Sequence, residues 1–283
     1  MNLSLLQNFT EKNFFLKPFP HLIIKNALPK KLYNDLNSSF PIDKFKSLDL
    51  KLDGTAALIS ESNKKLCLTP EKIKEDNEID HLWKNFISFN KSETFTHQIL
   101  DIFSKNIVET YLDTYKSEKE LYKLKVEKDG NKDADLFPYI EISINTPVLK
   151  KSSVIDIHAD NPNKLVTALF YMREKDDFSG GDLILHGWRI KLPNFLKKII
   201  LSKKKSFFNN IIRKYNFLFI KDSKRIKYFS NTLVMYFDSI DSLHSVTQRD
   251  ITEKYRKFCF FSLRIKYKKY LYKPYFGQSE INT

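Results

Sequence analysis

Short β-rich runs separated by turn residues occupy the second half of this chain, and they constrain the fold more than any other feature. They are YIEISI at 139–144, the apolar approach VIDI at 154–157, LVTALFYM at 165–172, DLIL at 182–185, TLVMYF at 232–237 and FCFFSLRI at 258–265. The first alternates between Pro138 and Pro147, and Gly180-Gly181 reads as a turn before the fourth. Strands this short and frequent point to a sandwich or a barrel. No internal repeat accompanies them.

The first half reads as helical around one strand. PHLIIK at 20–25 is a short strand, and Asn26 to Pro29 supply a helix start. That helix runs through LYNDLNSSF and stops before Pro41. Residues 45–75 are polar and without a clear period. From Asp80 a helical period returns: Leu82, Trp83, Phe86 and Ile87 share a face, and after a break at Asn90 so do Phe95, Ile99, Ile102, Phe103 and Ile107. The charged stretch 116–132 is expected to hold a strand edge and a turn at Asp129-Gly130, and Trp83 and Trp188 are expected to pack.

We therefore expect one domain over 1–283. Residues 1–135 form a helical support region, 136–267 the β core, and 268–283 a tail. A basic segment at 189–227 interrupts the core and reads as a partly helical insertion. It carries 13 Lys and Arg against one acid, Asp222, so it supplies nearly all of the net charge of +14. The rest of the chain is close to neutral, and nothing points to specific nucleic-acid binding. At 42% hydrophobic and 14% aromatic residues the chain is expected to fold. Two cysteines, Cys67 and Cys259, exclude a disulfide scaffold and a multi-cysteine zinc site. The start lacks the pattern of a signal peptide and no window is apolar enough to span a bilayer, so a soluble cytoplasmic protein is expected.

The chemistry concentrates in VIDIHADNPNKL, 154–165. Residues two apart on a strand face the same way, so His158 and Asp160 project together. An imidazole and a carboxylate side by side can each give one ligand to a divalent metal, and two His with one carboxylate suit Fe(II) with open positions. The plain alternative is a polar pair that ends a strand. Asp156, on the same face, is expected at the rim. A third ligand must come from downstream, where His186 and His244 are available; His244 follows a strong strand and a short turn. A 2-oxoacid bound at such a metal needs a fixed cation for its far carboxylate, best a guanidinium. Arg256, opening the last strand, is the first candidate and Arg249 the second.

HADNPNKLVTALFYM, FSGGDLIL, NTLVMYFDSIDSLHSVT and YRKF resemble, in that order, the core of the 2-oxoglutarate- and Fe(II)-dependent dioxygenases, in particular their prolyl 4-hydroxylase-like branch. The opening PFPHLIIKNALPKKLYNDLNSSFP resembles the first strand and helix of that group. The resemblance covers about 18–40 and 138–265. It implies an α+β fold with a mainly β core, a double-stranded β-helix (jelly-roll, cupin-like) barrel with N-terminal supporting helices. It implies His158, Asp160 and His244 as iron ligands, Arg256 as the 2-oxoglutarate clamp, and Tyr139 near that cosubstrate. It implies Fe(II), 2-oxoglutarate and O2 as requirements, with ascorbate as an accessory, and a hydroxylase that releases succinate and CO2. The substrate could be a small molecule, a glycan or a protein side chain. The 86 residues between His158 and His244 exceed the usual span, which favours treating 189–227 as an addition.

Two other classes remain open at this level. One is a jelly-roll binding module that has lost its iron. The other is a basic protein that contacts a membrane or a polyanion through KKIILSKKKSFFNNIIRKYNFLF, where Ile, Leu and Phe alternate with Lys. The plain alternative for that segment is a solvated insertion with its apolar side against the barrel. Gly180-Gly181 lacks the surroundings of a phosphate loop.

Overall fold

The computed structural model describes residues 2–52, 62–128, 130–131, 133–153, 156–201 and 218–266. Asp129 of the expected turn, Val154 and Ile155, the centre of the basic segment (202–217) and the tail at 268–283 lie outside the described residues.

The chain passes back and forth between two facing sheets. The larger contains β1 (Phe14–Phe15), β2 (His21–Lys25), β3 (Lys65–Leu68), β4 (Leu136–Asn145), β5 (Lys164–Tyr171), β8 (Thr232–Phe237) and β10 (Arg256–Ile265), in the order β1-β2-β8-β5-β10-β4-β3. The smaller contains β6 (Leu183–Trp188), β7 (Ile220–Ile226) and β9 (His244–Val246), in the order β7-β6-β9. An antiparallel bridge from His244 to His158 adds the His-x-Asp segment as a further strand beyond β9. Along the sequence the strands therefore alternate between the sheets: β4 large, 158 small, β5 large, β6 and β7 small, β8 large, β9 small, β10 large. That winding is a double-stranded β-helix, the expected jelly-roll.

The large sheet is covered on both faces, which explains why its strands read as nearly continuous apolar runs. On β10, Cys259, Phe261, Leu263 and Ile265 face the helices, while Arg256, Phe258 and Phe260 face the barrel interior. On β4, Ile140, Ile142 and Ile144 take the helical side, and Asn145 lines the interior. Rings cross this interface edge-on: Phe95 meets Phe261 at 5.3 Å and Tyr111 meets Phe237 at 5.6 Å.

The covering helices begin where their capping residues dictate. In α4 (His81–Asn90), the Asp80 carboxylate accepts from Leu82 N; in α5 (Glu93–Thr110), Ser92 Oγ accepts from Phe95 N. Trp83 is fully buried, its indole N–H donating to the Leu36 carbonyl of α1 (Lys30–Ser38) at 3.1 Å.

Two expectations need correction. The span 45–75 is not irregular where it is described: it holds α2 (Ile42–Leu52), β3 and α3 (Pro70–Glu75). And 189–227 is not wholly an addition. Ile220–Ile226 is β7, which pairs along β6 and completes the small sheet. Its sequence IKDSKRI hides this, because only its end residues, Ile220 and Ile226, are buried. The described residues between β6 and β7 hold α7 (Asn194–Leu201); α6 (Glu118–Leu121) lies elsewhere, before β4.

Candidate metal centre and anion pocket

His158 and His244 sit directly opposite one another in an antiparallel bridge. Each backbone N–H donates to the other's carbonyl, at 3.0 and 2.9 Å. Opposed residues in such a pair point to the same face, so the two imidazoles meet in the interior with ring centroids 4.2 Å apart. Asp160, two residues along, faces the same way. One ligand atom from each of His158, Asp160 and His244 lies within 4.8 Å of the others.

The backbone fixes how the rings are turned. His158 Nδ1 donates to the Asp156 carbonyl at 2.8 Å and His244 Nδ1 to the Ser242 carbonyl at 3.0 Å. Each Nε2 lone pair is thereby directed inwards, 4.0 and 3.9 Å from the Asp160 oxygens. The Asp156 side chain is exposed; its contribution is made by its backbone. Burial, then the neighbouring His158, lowers His244 to about 3, which keeps it neutral.

Asp160 is the charged member. Burial alone would raise its carboxyl, but Lys164, His244 and His158 together hold it well below the usual carboxylate range. Lys164 Nζ donates to Oδ1 at 3.0 Å and Thr167 Oγ1 to Oδ2 at 3.0 Å. Thr167 also lies 2.7 Å from Asp238 Oδ2. A hydroxyl has one proton, so if Thr167 gives it to Asp160 the second contact requires Asp238 to be the donor. Burial and the charge of Asp160 do drive Asp238 well above the carboxylate range. Tyr236 completes the surroundings, its hydroxyl donating to His244 Nε2 at 3.0 Å.

The triad opens into a cavity of about 190 Å³ that reaches Arg256 and Tyr171. Arg256 is 4% exposed and its guanidinium rests on the rings of Tyr228 and Tyr171, at 4.6 and 5.3 Å. Arg256 Nε and Tyr171 Oη are both buried without a hydrogen-bond partner. Groups of this kind are costly when left unsatisfied, and here they share one cavity with the triad. Burial pushes the Tyr171 phenol up to about 12, against the opposing charge of Arg256, so it is a neutral donor.

The other candidates are placed elsewhere. Arg249 does not line the cavity. Its guanidinium donates to Ser179 Oγ, Asn63 Oδ1 and the carbonyls of Thr146 and Lys254, at 2.8 to 3.2 Å, and so ties the loops together. Tyr139 is outside the cavity as well: its hydroxyl donates to Glu141 at 2.6 Å and Arg264 covers its ring. His186 is turned to the outer face of the small sheet, bonded to Ser245 Oγ at 2.8 Å and 2.9 Å from Asp222. Sequence reasoning missed Thr167, Tyr171, Tyr236 and Asp238. A signal for the first two was present: Thr167 and Tyr171 are the polar-capable residues of one strand face within LVTALFYM. Gly181 also proved more than a turn residue. Its φ is +77°, and a Cβ there would lie 2.8 Å from Arg256 Nη1.

No protein-family model matches the sequence, and no curated protein matches it. By fold the chain is similar to prolyl 4-hydroxylases and other 2-oxoglutarate-dependent oxygenases. A prolyl 4-hydroxylase from Pseudomonas putida shares 10% identity over 87% of this chain and 92% of that one, with a TM-score of 0.41. The α-ketoglutarate-dependent carbocyclase SnoK from nogalamycin biosynthesis shares 9% over 92% and 85%, with a TM-score of 0.44. A putative oxygenase from Shewanella oneidensis shares 10% over 89% and 84%, with a TM-score of 0.46. The jelly-roll is nonetheless read from this chain's own strand order, and the site from its own atoms.

Proposed function

We propose that this protein is an Fe(II)- and 2-oxoglutarate-dependent oxygenase that hydroxylates its substrate and releases succinate and CO2. One observation carries the reading: two imidazoles and an ionised carboxylate converge in the same cavity as a buried guanidinium and a buried phenol, with Arg256 Nε and Tyr171 Oη unsatisfied there. The donor set fits iron. Two nitrogens and one carboxylate oxygen form the grip that suits non-haem Fe(II) and leaves further positions for other ligands.

His158, Asp160 and His244 would hold the ion, and its chemistry when bound is the activation of O2 through oxidative decarboxylation of 2-oxoglutarate. The chain's own residues do the rest. Arg256 binds the far carboxylate of 2-oxoglutarate through its planar fork, and Tyr171 Oη donates to the same group. Leu183, Val246 and Phe258 keep that end of the cavity dry, which strengthens the charged contact. Lys164 and Thr167 fix the orientation of Asp160. Lys65, Asn145 and Phe260 form the remaining wall, where substrate would approach.

Anaerobic titration with Fe(II) and 2-oxoglutarate tests this directly. A visible metal-to-ligand charge-transfer band is expected, together with O2-dependent succinate release. His158→Ala should abolish the band. Arg256→Ala should weaken 2-oxoglutarate binding by about thirtyfold or more, since it removes the partner of a buried carboxylate. A folded wild-type protein that gives no band would instead favour an iron-free binding module.

A further inference from the structure

The helix α7, NFLKKIIL, is apolar on two opposite sides. Its inward side is accounted for: Ile200 and Leu201 pack with Ile220, Ile240, Leu243 and Ala159, and Lys197 Nζ reaches Asp241 at 2.6 Å. Its outward side is not. Phe195 is 63% and Ile199 40% exposed, and at a spacing of four they form one ridge. At the base of the excursion, Arg189 N donates to the Phe219 carbonyl, which brings the neighbouring Ile190 and Leu218 to the same place; they are 54% and 56% exposed. Soluble surfaces carry such residues singly. Here four fall within one excursion, in the segment that holds nearly all of the chain's net positive charge.

We propose that the outward side of α7, with Phe195 and Ile199 as its apolar ridge, Lys198 on the same helix and Lys191 just before it, docks on an anionic phospholipid bilayer. The combination suits an interfacial helix: the ridge enters the acyl boundary while the lysines meet lipid phosphates. A hydrated polyanion offers nothing for Ile199 to enter. A second copy would bring two strongly positive surfaces together. This proposal does not rest on the oxygenase reading.

The test is flotation of the full chain with phosphatidylcholine vesicles, with and without phosphatidylserine. Binding is expected only with the anionic lipid, falling steeply with added salt. Phe195→Ser with Ile199→Ser leaves the charge unchanged and should lower binding by about tenfold or more. Lys191→Gln and Lys198→Gln should each lower it by about fivefold. Phe195, Ile199 and Lys191 are exposed and Lys198 is half-buried, so an unchanged thermal melt certifies folding of each variant. Absence of binding to anionic vesicles, or full binding by the apolar double variant, overturns the proposal. So does tighter binding to heparin or single-stranded RNA that the apolar variant leaves intact, which would make this a polyanion site. Loss of a dimer in the apolar variant would make it a self-association face.

Discussion

Arg249 and Arg256 lie seven residues apart, are both buried, and have opposite surroundings. Every arm of Arg249 is used on neutral acceptors, from Asn63, Thr146, Ser179 and Lys254, so Arg249→Ala should destabilise the fold by about 3 kcal/mol in urea unfolding, with little change in 2-oxoglutarate affinity of the folded protein. Gly181→Ala should show the converse bias. The added methyl presses hardest on Arg256 Nη1, at 2.8 Å, and less on the Arg249 stem, at 3.1 and 3.3 Å, and the positive φ disfavours alanine, so 2-oxoglutarate affinity should fall about tenfold for about 1 kcal/mol of stability. Isothermal titration beside a denaturation curve separates the two effects. The sequence could place both arginines near the last strand but could not rank them by geometry. What distinguishes them is strand parity: Arg256 shares the inward face with Phe258 and Phe260, whereas Arg249 precedes the strand. Tyr139 is separated from Arg256 for a related reason: it pairs with Ser262, whereas Arg256 pairs with Asn145 at the other end of β4.

At the level of elements, alternation and apolar runs made β2, β4, β5, β8 and β10 legible, as helical spacing did α4 and α5. The strand β7 was not legible, because a solvent-facing edge strand has little apolar signal to give. The pairing of N-terminal and C-terminal elements was also hidden: β2 pairs along β8, and one residue fastens the end of that pairing. Asn231, at φ +49°, accepts from Leu28 N at 2.9 Å and donates to the Leu28 carbonyl at 2.8 Å, so the turn before β8 clasps the start of α1. Asn231→Ala loses both bonds and adopts an unfavourable φ; a loss of about 2 to 3 kcal/mol is expected in thermal or urea unfolding. Asn231→Gly restores the backbone freedom alone and should recover only part of it.

For the whole molecule, buried neutral histidines set the pH response. Burial holds His21 at about 4 and His244 at about 3, against 6.5 in the unfolded chain. Below 6.5 the unfolded chain takes up protons that the folded chain does not, so stability is intact above that value and falls as the pH drops towards 4. Urea midpoints measured through this window in metal-free protein should show the decline, and His21→Leu should flatten part of it. Among the described residues no helix is long and apolar enough to cross a bilayer.

The hydrogen-bonded pairing of His158 with His244 has a chemical corollary. The two residues are 86 positions apart, yet ordinary sheet formation delivers them to each other. Backbone pairing therefore accounts for the juxtaposition of the two imidazoles. A rigid cradle of two nitrogens and an oxygen discriminates poorly among first-row divalent cations, so supply rather than fit would decide its occupant. Cobalt, nickel and zinc should each raise the melting temperature of the apo-protein, none should do so in His158→Ala, and each should compete with iron for the seat.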